Sequence, residues 1–116
     1  MALGLSLGSG IGGCATTISD YVPLGQTFAA NAMDHPIAVF EGEAEPDRPF
    51  VEVAEVFTTK ESTHLVKAST DSGLGELKTQ ARFAGGDALY KLSEKRARHL
   101  ETQQLILSAI AIRYTD

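Results

Sequence analysis

Apolar and polar positions alternate with two different periods along this chain, and the switch between them marks out its elements. Residues 37 to 42, IAVFEG, form a short β-branched and aromatic run behind the His35-Pro36 break, which predicts a strand. EAEPDRP, residues 43 to 49, carries two prolines and four charges and predicts a turn. In FVEVAEVFTT, residues 50 to 59, a period of two returns, with Val51, Val53 and Phe57 on one face and Ala54 and Val56 on the other. The period then lengthens: Leu74, Leu77, Ala81 and Ala84 fall on one helical stripe, with Glu76, Lys78, Gln80 and Arg82 expected outward. Asp71, Ser72 or Gly73 can cap that helix near Leu74, and Gly85-Gly86 ends it, because glycine takes the left-handed cap conformation without a steric penalty. Asp87 leads into ALYKLSE, a further strand, and KRARHLET predicts a charged hairpin. The longest β-prone run is QLILSAIAIRYT, residues 104 to 115. Ile106, Ile110 and Ile112 share one of its faces and Leu105, Leu107, Ala109 and Ala111 the other, as expected of a strand inside its sheet. The order β-β-α-β-β predicts an α+β fold, a small sheet with one helix packed on one face.

Ahead of residue 37 neither period holds. Residues 2 to 13, ALGLSLGSGIGG, are uncharged and include five glycines, a poor composition for a core helix. Residues 15 to 36 are interrupted by Pro23 and Gly25 and are expected to be a flexible tether, with a short helix in TFAANAM as the alternative. The expected division is a leader over residues 1 to 14, the tether over 15 to 36 and a domain over 37 to 116.

Charge sharpens that division. The first basic residue is Arg48, and only acids precede it: Asp20, Asp34, Glu41, Glu43, Glu45 and Asp47. A net charge of −5 disfavours non-specific attraction to nucleic acid. Hydrophobic and charged contents of 43% and 22% are those of a folded domain rather than a disordered chain. Cys14 is the single cysteine, so no intramolecular disulfide and no CxxC redox or zinc site can form.

Ile11-Gly12-Gly13-Cys14 resembles a bacterial lipobox, in which an aliphatic residue and two small ones precede an acylated cysteine. The resemblance implies a lipid on Cys14 and anchorage to a membrane; acyl chains contribute about 0.8 kcal/mol per buried methylene. Ala15 after the cysteine implies the outer membrane, facing the periplasm. The basic segment that opens a secretory leader does not occur in residues 1 to 14. A second resemblance lies in residues 50 to 115, where VEVAEV, then LKTQARFAGGDALYKL, then LSAIAIRY is similar to the YbjQ-like domains and the Rcs stress-sensor lipoproteins. Lys78, Ala81, Gly85, Gly86, Asp87 and Ala88 carry it. This domain holds none of the disulfide-forming cysteines of the Rcs-type sensors, and no cysteine ligand for the metal that YbjQ-like proteins have been said to bind. Gly85, Gly86 and Asp87 are expected to act structurally, at the turn from helix to strand.

The remaining candidates are few. His35, His64 and His99 fall in expected loops without metal-ligand spacing. Glu41, Glu43 and Glu45 could hold calcium weakly, but a solvated loop edge accounts for them better. Lys95, Arg96 and Arg98 are candidates for lipid headgroups or an acidic partner, against protection of a strand edge. Gly73-Leu74-Gly75 does not complete a nucleotide-binding motif, and no catalytic triad or metalloprotease pattern is present. The sequence therefore leads to an expectation of a non-enzymatic envelope lipoprotein, without cofactor, that docks to or senses another envelope component. The alternative is a cytoplasmic YbjQ-like binding module, self-associating or metal-binding.

Overall fold

A computed structural model describes residues 16–63, 70–99 and 102–116, so the leader, the lipobox residues Ile11, Gly12 and Gly13, Cys14 and His64 lie outside the described residues. The elements run β1 (Thr16–Pro23), β2 (Ala38–Val39), β3 (Phe50–Thr63), α1 (Thr70–Phe83), β4 (Ala88–His99) and β5 (Thr102–Tyr114). The strands make one sheet in the order β1-β3-β5-β4-β2, antiparallel throughout except for the parallel β2–β4 pair. The fold is α+β, with α1 on one face.

The helix packs as its stripe predicts. Leu77, Ala81 and Ala84 are buried against Val56, Leu105, Leu107, Ala109 and Ala111, with Leu74 at the margin. Gly73 is buried in the first turn, where a Cβ would run into the Leu107 side chain. Gln80, expected outward, is buried as well, because α1 lies low enough on the sheet to cover more than its apolar stripe. A polar seam joins the layers toward the start of α1. The Ser19 hydroxyl lies 2.7 Å from that of the fully buried Thr58 and donates to Glu76 Oε1 at 3.2 Å.

Four expectations are corrected or refined. The tether over residues 15 to 36 is not one, since residues 16 to 23 form the edge strand β1, paired with β3 from Thr16↔Glu61 to Pro23↔Ala54. The charged hairpin expected at KRARHLET is there, but its arms are strand as far as His99, because β4 and β5 stay paired from Ser93↔Ser108 to His99↔Thr102. The strand expected over residues 37 to 42 shortens to β2, two residues beside the start of β4. Finally, Val51, Val53 and Phe57 do not share a face. A bulge between Glu52 and Ala54 leaves Val53 without a partner on β5 and reverses the alternation, so Val53, Ala54 and Val56 are all buried while Val51 is exposed.

At the outer edge of β1, Asp20 Oδ1 accepts the Tyr21 N–H at 2.7 Å, and Pro23 has no N–H to offer.

Candidate functional site

The turn from α1 to β4 anchors the end of the molecule where the clefts lie. Gly85 has a φ of 83°, and a Cβ there would come within 2.7 Å of the Ala29 carbonyl oxygen and 2.8 Å of Phe28 Cβ. The Gly86 N–H donates to Ala81 O at 2.8 Å and the Gly85 N–H to Arg82 O at 3.1 Å, closing the helix as a left-handed cap does. The chain after β1 wraps this turn. Asn31 gives its N–H to Arg82 O at 2.8 Å and its Nδ2 to Gly86 O at 2.7 Å, while Arg82 Nε donates to His35 O at 2.7 Å. Residues expected to tether the domain thus complete it. Asp87 sits at the centre: one carboxylate oxygen is 2.9 Å from His35 Nε2 and the other accepts the Tyr114 N–H at 2.9 Å. Gly85, Gly86 and Asp87, expected at the turn from helix to strand, lie there and make these bonds. His35, expected in solvent, is held instead.

Two clefts open beside this turn, on either side of Tyr114. The larger, about 540 Å³, is lined by Gln26, Phe28, Val51, Glu52, Arg113, Tyr114 and Thr115. Its size is that of an ordinary ligand site. On one wall the Arg113 guanidinium stacks 4.8 Å from the Phe28 ring centre and donates from Nη1 to Gly85 O at 3.0 Å. On the other, Glu52 Oε2 accepts the Tyr90 hydroxyl, with Lys91 Nζ at 3.7 Å. Burial, and then the bond to Glu52, push the Tyr90 phenol up to about 12, so at neutral pH it is a fixed donor and not a proton-transfer group. The second cleft, about 420 Å³, lies between His35, Pro36, Ala38, Arg48, Asp87, Tyr114 and Asp116. There Arg48 stacks 3.8 Å from the Tyr114 ring centre and pairs with Asp116 at 2.8 Å, a bond that holds the Asp116 carboxyl below its usual range. At this end Arg48 pairs with Asp116 and Lys91 with Glu52, while Arg113 is held by a main-chain oxygen and an aromatic ring.

Of the other sequence candidates, Glu43 and Glu45 reach this end, lining a smaller cleft with Tyr90 and Lys91. Glu41, Glu43 and Glu45 lie exposed in the segment between β2 and β3, and Lys95, Arg96 and Arg98 lie exposed along β4. No three His, Cys, Asp or Glu among the described residues are grouped to hold a metal ion. No helix among the described residues is long and apolar enough to cross a membrane. Phe28, Glu52, Tyr90, Arg113 and Tyr114 went unrecognised in the sequence. Their one signal was aromatic and charged residues at the ends of apolar runs.

No family model and no curated protein matches the chain. Among solved structures it is similar to the Francisella virulence factor FvfA, seen in a crystal structure of the orthorhombic form. The likeness has a TM-score of 0.53 at 19% identity and covers 81% of this chain and 97% of that one, a resemblance of fold.

Proposed function

We propose that this chain is a non-enzymatic docking module of the bacterial envelope. A lipid on Cys14 holds it to the outer membrane, and the larger cleft receives a segment of another envelope protein. One observation carries the docking site: an open cleft of about 540 Å³ with aromatic walls, where Arg113 is held by the Phe28 ring and the Gly85 carbonyl and Glu52 by the Tyr90 hydroxyl. Such a surface is suited to burying part of a ligand rather than to moving protons or attacking bonds. The lipobox-like residues support the anchor.

Two measurements in the native host test the two halves. Radiolabelled palmitate is expected to enter the wild-type chain and not Cys14→Ser; a free thiol at Cys14 in the mature protein removes the anchor. In detergent extracts, the wild type is expected to migrate in native gels as a larger complex and Val51→Asp as the free chain. Equal mobility of the two removes the docking site.

A further inference from the structure

The geometry points to an extended peptide as the occupant of the larger cleft, added as a strand to the piece of β3 that β1 leaves open. This rests on the docking reading above and gives the ligand its form. The Thr115 N–H donates to Pro49 O at 3.1 Å, in the register that sets Phe50 opposite Tyr114 and Glu52 opposite Ile112. Antiparallel alternation then turns the main-chain groups of Val51 toward β5 and those of Phe50 and Glu52 away from it. On that outer side no strand waits. β1 ends with Pro23 opposite Ala54, the Leu24 N–H closes on Val53 O at 3.0 Å, and Gly25, at a φ of 143°, takes the chain elsewhere. Among the described residues, none of the loop and turn main-chain bonds reaches the N–H or C=O of Phe50 or Glu52. The cleft lies along this short edge, since Val51 and Glu52 line it with Gln26 and Phe28.

An unpaired main-chain edge recognises main chain, which is how strand addition supplies affinity, with side chains supplying selectivity. Side chains of an added strand alternate between the two faces. Those on the α1 side meet Val51, 41% exposed, and the Phe28 ring, so they should be apolar. Those on the opposite side meet the Glu52 carboxylate, which already takes the Tyr90 hydroxyl and has Lys91 Nζ at 3.7 Å, and exposed Glu55 one step along the same face; two carboxylates against one ammonium favour basic residues there. Residues paired directly with Phe50 and Glu52 share their face, so the basic residues also make the main-chain bonds.

The test uses isotopically labelled full chain titrated with acetyl-Lys-Val-Lys-Val-Lys-amide. The Phe50 and Glu52 amides are expected to move downfield and to exchange more slowly with solvent. N-methylation of the central lysine nitrogen should weaken binding about tenfold, and N-methylation of a valine nitrogen should leave it nearly unchanged. No amide change at about 1 mM peptide, or equal binding by the two methylated forms, overturns the strand mode. If Val51→Asp breaks the native complex while the Phe50 and Glu52 amides stay still, the docking site stands and strand addition falls.

Discussion

On β5, Leu105, Leu107, Ala109 and Ala111 are buried on the α1 side, whereas Ile106, Ser108 and Ile110, each one position away, stay partly open to water. The two faces of the sheet come from the same strands but are closed by different means. One is covered along its length by a helix. The other is covered only toward the clefts, where Phe40, Phe50, Ile110 and Tyr114 gather around Ala88, Tyr90 and Ile112. Farther along that face Ile18 and Val22 are 68% and 49% exposed. Stability should accordingly reside on the helical face and binding at the end where the second face closes.

Mutations that treat the faces unequally test this. Leu77→Ala, beneath α1, should cost about 3 kcal/mol in urea unfolding, a loss of apolar burial plus a cavity. Ile106→Ala, opposite in facing, should cost about a third of that; equal losses would mean the open face is covered. Gly85→Ala should cost about 2 kcal/mol, because the left-handed backbone is strained for alanine and its methyl strikes the Ala29 carbonyl and Phe28. Tyr90→Phe should cost about 1 kcal/mol by leaving Glu52 without its hydroxyl donor. That change also has a pH signature. The folded chain holds the Tyr90 proton up to about 12, against 10.0 for an ordinary tyrosine, so this contribution is complete below about pH 10 and is lost as pH rises toward 12. Alkaline unfolding of Tyr90→Phe should show a shallower decline over that window. Smallest of all, Ile18→Ser should change stability by less than about 0.5 kcal/mol.

The helix was legible because its stripe and its terminating glycines agree with the packing that Leu77, Ala81 and Gly85 then make. The two-faced run over β5 was legible for the same reason. β1 was not, although its residues do alternate. Ser19 points into the sheet–helix layer and bonds Thr58, while Ile18 and Val22 point out to the uncovered face, so the apolar signal is inverted. An inserted residue at Val53 defeated a strict period of two in β3. The clefts were hidden for a different reason. Phe28, Glu52 and Arg113 meet only through the β3–β5 register and the wrapped turn, and no spacing in the sequence encodes that meeting. His35 and Asp87, 52 positions apart, were invisible as a pair on the same grounds.

The outer margin of β1 has one more effect. With the Tyr21 amide already claimed by its neighbour's carboxylate and an imino acid two positions on, that border cannot template another copy along its last residues. On the proposal that the cleft takes a visiting strand, such a guard keeps copies of the chain from joining border to border along β1. Removing the carboxylate at Asp20 should therefore raise the tendency of concentrated protein to associate through β1, read by light scattering.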